Sequence, residues 1–137
     1  MAAQIVDQQK MSNLDIIKAH SAKNTPDVAA DDASASLARA VQSGFKLIRF
    51  YDVLIAFKPS KQTALMYIMN GGDPRQYIRA LKQFVAAMKE AKFKTLTMYV
   101  SDKESASKIA STAGVNKVSF KEDKKKEVDP YLMTMEL

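Results

Sequence analysis

The chain contains no cysteine, which excludes a disulfide framework, a thiolate nucleophile and any Cys-based zinc site. A reducing compartment is consistent with that composition. Histidine occurs once, as His20, so His-rich metal constellations are excluded too. No uninterrupted apolar stretch approaches the roughly 20 residues that span a bilayer, and Met1-Ala2-Ala3-Gln4 is not a basic segment leading into an apolar run. The expectation is a soluble chain, not exported by a signal peptide and without a membrane span.

What is present points to one domain over residues 1–137, long enough to bury roughly two thirds of its unfolded surface in a single core. The formal charge of +6 and the pI near 9.5 favour acidic partners, nucleic acid among them, but 15 carboxylates are interspersed among 21 basic side chains. The bias is mild.

Ala2 to Gln8 alternates weakly around Ile5 and suggests a short edge strand. Ser12 then caps a helix from about Asn13 to Ala22, with Asp15 near its positive end and Met11 and Ile16 placed as a hydrophobic staple. Thr25-Pro26 repeats the cap, and an apolar stripe through Val28, Leu37, Ala40 and Val41 runs up to Gly44 as C-terminal cap. Asp31-Asp32 and Ser34/Ser36 weaken its middle, so one interrupted helix or two short ones fit equally.

Three strands follow, Phe45 to Tyr51, Val53 to Lys58 and Thr63 to Met69, joined by a tight turn near Asp52 and a looser one over Pro59-Ser60-Lys61. The third is apolar on both alternations and is expected to be covered on both faces. Asp73 and Pro74 start a helix to about Ala91, with Tyr77, Ile78, Leu81, Phe84, Val85 and Met88 on one face and Arg75, Arg79, Lys82 and Lys89 toward water. Thr95 to Val100 is the next strand, and the helix between favours a parallel crossover.

Ser101-Asp102-Lys103-Glu104 reads as a capping box, in which Ser101 and Glu104 satisfy each other's backbone N–H. Ala106, Ile109, Ala110 and Ala113 form the buried stripe of a short helix capped by Gly114. Val118 to Phe120 is a short strand. Beyond the charged run Lys121 to Asp129 and Pro130, Tyr131 to Met135 returns antiparallel to it. The class is α/β with a mixed sheet, in the order β-α-α-β-β-β-α-β-α-β-β.

That order, with the Val100-to-Val115 segment and its Ala-Gly-Val ending, resembles the GCN5-related N-acetyltransferase (GNAT) superfamily over essentially the whole chain. The resemblance implies two splayed parallel strands, here Thr63 to Met69 and Thr95 to Val100. Acetyl-CoA would enter the gap, with its pyrophosphate at the N-terminus of the helix that follows the first of them. The family's loop, Arg/Gln-x-x-Gly-x-Gly/Ala, lets backbone N–H groups approach that pyrophosphate. Aligned on Arg79-Ala80-Leu81, this chain has Asp73 at the basic position and Gln76 and Ile78 in place of glycines. A shifted site would use Met69, Asn70, Gly71, Gly72, Arg75 and Arg79; ordinary turn chemistry accounts for the same glycines.

The tyrosine that the resemblance implies as proton donor to the departing thiolate is Ala110 here, and Lys103 stands where an asparagine often begins the segment. No Asp, Glu or His lies between Val53 and Gly72, the region that often supplies the general base. In size and loss of motifs the chain is similar to the small GNAT-like internal virion proteins of short-tailed bacteriophages. That implies a catalytically degenerate protein, with no catalytic residue and no cofactor, acting on other protein subunits in a virion or in the cytoplasm of a host cell. An active acetyl-CoA-dependent N-acyltransferase with the shifted site, using Tyr99 or water as acid, is the alternative.

A second alternative is nucleic-acid binding through Arg75, Arg79, Lys82 and the lysines Lys117, Lys121, Lys124, Lys125 and Lys126. Glu122, Asp123 and Glu127 interrupt the run and no aromatic is interleaved before Tyr131, so a solvated hairpin tip is the better reading. The chain has eight methionines, of which Met66, Met69, Met88, Met98, Met133 and Met135 recur at positions expected to be buried or half-buried, and core packing explains them. The sharper option is an interface on Tyr131 to Met135, if that is an edge strand.

Overall fold

The computed structural model describes residues 12–24, 35, 38–70, 73–126 and 129–137, with residues 21–24 described through their backbone alone. The expected strand Ala2 to Gln8, the Met11 half of the staple, the Thr25-Pro26 cap with Val28 and Leu37, and Gly71-Gly72 lie outside those residues. The described elements are α1 (Asn13–Asn24), β1 (Lys46–Phe50), β2 (Val53–Ser60), β3 (Thr63–Asn70), α2 (Pro74–Glu90), β4 (Thr95–Val100), α3 (Lys103–Thr112), β5 (Lys117–Glu122) and β6 (Tyr131–Glu136). Six strands form one mixed sheet in the order β1-β2-β3-β4-β6-β5. By its contacts the chain divides into two compact units, Met1–Phe57 with Ile68–Ala80 and Lys58–Tyr67 with Leu81–Leu137.

In the first unit, Ser12 caps α1 through its Oγ, which accepts the Asp15 N–H at 3.1 Å. The helix buries Ile16 and Ile17 on Leu54, with Met69 packed beside them. Gly44, at φ 113°, ends the helical residues 38–42 as expected, and the Phe45 N–H returns to the Ala40 carbonyl at 3.1 Å. Val41 on that helix is 42 % exposed, outside the expected buried stripe. The β1–β2 hairpin pairs Phe50 with Val53 across the two-residue turn Tyr51-Asp52, where Tyr51 takes a φ of 57°. Val53, Leu54, Ile55 and Ala56 are all buried, so it is β2 that is apolar and covered on both alternations.

The second unit holds the parallel step. β3 and β4 pair at Thr63↔Thr95, Ala64↔Leu96 and Leu65↔Thr97, the parallel crossover expected of the intervening helix. β4 pairs antiparallel with β6 along its whole length, and β6 pairs likewise with β5. The last strand is therefore central, not an edge. The expectation of an open β6 backbone is corrected: β5 is the outer strand, and Lys117 and Lys121 expose charge along it. Met133 and Met135 are accordingly core side chains, at 1 % and 0 % exposure.

The C-terminal part of α2 buries Leu81, Phe84, Val85 and Met88, spaced at three, one and three residues on one face. Each contributes about 1.5–3 kcal/mol of apolar transfer on complete burial. Arg75, Arg79, Lys82 and Lys89 are exposed, as the pattern predicts. The small stripe Ala106, Ala110 and Ala113 is buried in the α3 segment, and Gly114 (φ 94°) closes it as the Val115 N–H reaches the Ala110 carbonyl at 2.9 Å.

Two expectations change. The cap of α3 is Asp102, not Ser101: its carboxylate accepts the Glu104 N–H at 3.0 Å and the Ser105 hydroxyl at 2.8 Å, so one residue satisfies two donors. In β3, Ala64, Met66 and Ile68 are buried while Leu65 and Met69 are half-buried and Tyr67 is 41 % exposed, so one alternation is covered and the other is open.

Candidate functional site

The parallel pairing between β3 and β4 stops at Leu65↔Thr97, although the two strands continue to Asn70 and Val100. The next residues on the open alternation after Leu65 and Thr97 are Tyr67 and Tyr99. The Tyr67 phenol is pushed above the usual tyrosine range by burial first and by the neighbouring Tyr99 second.

At the N-terminus of α2 the described donors are engaged. Pro74 brings no N–H. The Arg75 N–H goes to Asp73 Oδ1 at 2.9 Å, and the Gln76 and Tyr77 N–H groups reach the Asp73 carbonyl at 3.1 and 3.3 Å. The Arg75 side chain returns to the same carboxylate, Nη2 to Oδ2 at 3.1 Å and Nε to Oδ1 at 3.3 Å. These bonds hold the Asp73 carboxyl below the usual carboxylate range and raise Arg75. A negative charge thus caps the helix where an anionic ligand would have to sit.

Gln76, at 3 % exposure, has the role that sequence reasoning missed. Its Oε1 accepts the Asp52 N–H at 3.1 Å, in the β1–β2 turn. Asp52 in turn takes Arg49 Nη2 at 2.9 Å, and Arg49 also donates to the Tyr51 carbonyl (2.7 Å) and to Asn13 Oδ1 (2.9 Å). This network ties the β1–β2 turn to the first turns of α1 and α2. A buried amide supported in this way replaces the close backbone approach that a glycine would allow. Only the 24-residue separation of Gln76 from its partner hid it, since nothing local marks a glutamine for burial.

Four residues of the shifted site are described, and each has a partner within the fold. Met69 packs with Ile16, Ile17 and Leu54, Asn70 Nδ2 donates to the Asp73 carbonyl at 3.2 Å, Arg75 is held by Asp73, and the Arg79 guanidinium lies 5.4 Å from the Tyr51 ring centroid. Ala110, where the resemblance implies a tyrosine, is 0 % exposed. Lys103 stands over the Tyr131 ring at 4.7 Å. The residues described at the helix end do not fit a pyrophosphate. Among the described residues no group of His, Asp and Glu is arranged to hold a metal ion, and no helix is long and apolar enough to cross a membrane.

No protein-family model matches the chain, and no curated protein matches it. Among solved structures it is similar to a ribosomal-protein-alanine N-acetyltransferase from Brucella melitensis, with TM-score 0.57 and 11% identity over 90% of this chain and 91% of that one. It is also similar to an N-acetyltransferase from Staphylococcus aureus Mu50, with TM-score 0.54 and 15% identity over 91% of this chain and 92% of that one. At these identities the likeness establishes the fold: a GNAT-like mixed α/β sheet with its helices.

Proposed function

We propose that the chain is a catalytically degenerate GNAT-like protein that works through protein contacts, as a structural or internal component of a tailed-phage particle. One observation carries the loss of catalysis: every N–H in the first turn of α2 is either absent, at Pro74, or directed to Asp73. The buried Ala110, in place of a proton donor, points the same way. The particle setting draws on the resemblance in size and element order. Because the chain has no cysteine, release of free CoA can be followed with a thiol reagent without background from the protein. Purified protein with acetyl-CoA and a panel of amines and peptides should give no release above the protein-free rate; acceptor-dependent release overturns the reading.

A second reading is an active N-acyltransferase, and it is supported by the likeness of the fold to two N-acetyltransferase structures and by a parallel β3–β4 pairing whose last pair is Leu65↔Thr97. Tyr67 and Tyr99, which interact electrostatically, follow that last pair on the same alternation. On this reading Arg75→Ala weakens CoA binding, and unchanged binding counts against it.

A further inference from the structure

The second unit carries a hollow that shares only Tyr99 with the acyltransferase reading. The strand register sets Tyr99 opposite Leu132 and Leu132 opposite Lys121, so these three side chains form one row across β4, β6 and β5 on one face of the sheet. Residues Asp123 to Lys126 form a turn beside that row. Its Asp123 N–H reaches the Pro130 carbonyl at 2.7 Å, and the Lys126 N–H reaches the Asp123 carbonyl at 3.1 Å. The Asp123 Oδ1 accepts the Lys125 N–H at 3.1 Å. Lys126 then places its ammonium 3.4 Å from the Tyr99 ring centroid. The result is a hollow of about 430 Å³ lined by Tyr99, Leu132, Lys121, Lys124, Lys125 and the pair Glu122-Asp123. That volume is within the range of small-molecule sites.

Two features give the hollow a chemical preference. Its floor is a phenol ring and a leucine, and its rim is lysine. Among the described residues Lys121, Lys124 and Lys125 form no ion pair, and Asp123 spends one oxygen on the loop backbone. Among the residues that line it, three ammonium groups stand against two carboxylates, a surplus of one positive charge. A phosphate monoester carries between one and a half and two negative charges near neutrality, and lysine binds phosphate as a point charge without demanding a planar fork.

We infer that this hollow binds a phosphate monoester on a small aromatic or apolar body, the phosphate on Lys121, Lys124 and Lys125 and the body against Tyr99 and Leu132. The inference does not depend on what the N-terminus of α2 holds. Phenyl phosphate, inorganic phosphate and benzoate are the probes, titrated to about 10 mM while the tyrosine ring and leucine methyl NMR signals are followed. Phenyl phosphate is expected to shift Tyr99 and Leu132 saturably and to bind more tightly than inorganic phosphate. Its binding strengthens as pH rises through about 6, where the monoester loses its second proton. Benzoate binds more weakly.

The double variant Lys124→Gln/Lys125→Gln, whose side chains are exposed, should fold normally and weaken phenyl phosphate roughly tenfold. Tyr99→Leu should reduce the advantage of phenyl phosphate over inorganic phosphate. A short phosphotyrosine peptide separates the sources: tighter binding than phenyl phosphate assigns a phosphorylated partner segment, and equal binding a free monoester. Absence of saturation, equal shifts at lysines throughout the surface, or a double variant that binds like wild type overturns the inference.

Discussion

Arg75 and Asp73 form a closed pair at the start of α2, with Nη2 3.1 Å from Oδ2 and the Arg75 N–H 2.9 Å from Oδ1. The one arginine placed to greet an anion there is bound to a carboxylate two residues away. The pair gives the helix its start and removes the charge complementarity that a pyrophosphate needs.

This pairing makes a pH-dependent contribution to stability whose sign is fixed. The Asp73 carboxyl lies below its ordinary value of 3.8, so its contribution is present above that pH and is lost as pH falls through the lower folded value. Asp73→Asn keeps a capping side chain without the charge. Thermal melts between about pH 2 and 7 should show wild type losing more melting temperature on acidification than the variant. Parallel curves contradict the assignment.

Gln76→Ala leaves the Asp52 N–H buried without its acceptor. Urea unfolding should report a loss of about 1–3 kcal/mol, the cost of stranding a buried donor. A loss below about 0.5 kcal/mol, the size of an ordinary surface change, shows that water takes the place of the amide.

Because β6 is flanked by β4 and β5, all its amides lie between strands, whereas alternate amides of β5 face outward. Hydrogen exchange should be slow throughout Tyr131–Glu136 and should alternate along Lys117–Glu122. Met135→Ala should cost about 2–5 kcal/mol, as expected for a fully buried side chain. Alternating exchange in β6 would restore it as an edge strand.

Burial pushes the Tyr77 phenol up to about 12. The unfolded chain ionises this group near 10, so the folded state holds the proton longer and its stability falls as pH rises above 10. Spectrophotometric titration should show late ionisation that disappears in Tyr77→Phe, and the variant should lose less stability above pH 10 than wild type.

Much of the fold was legible because its punctuation is local. Ser12, Gly44, Asp73-Pro74 and Gly114 each declare a helix end through one residue's chemistry, and the structure uses all four. Ser101 and Asp102 are both good caps, and the Glu104 spacing favoured Ser101; the carboxylate wins because it accepts two hydrogen bonds at once. The place of β6 depends on its pairing with β4, about 35 residues away in sequence, which no periodicity reports. The apolar alternation in β3 marked Leu65, Tyr67 and Met69 as candidates for burial without showing how far anything covers them. At the candidate site, the exposure of Arg75 and Arg79 followed from helical spacing. Their partners Asp73 and Tyr51 did not, since a cation's partner is set by rotamer and turn geometry.

The most direct test of the account is titration calorimetry with acetyl-CoA and CoA, on wild type and on Lys124→Gln/Lys125→Gln so that any heat from the lysine hollow is separated. The occupied N-terminus of α2 predicts no binding that survives in the double variant up to about millimolar concentration. Micromolar binding that the double variant retains would contradict it and bring the acyltransferase reading forward.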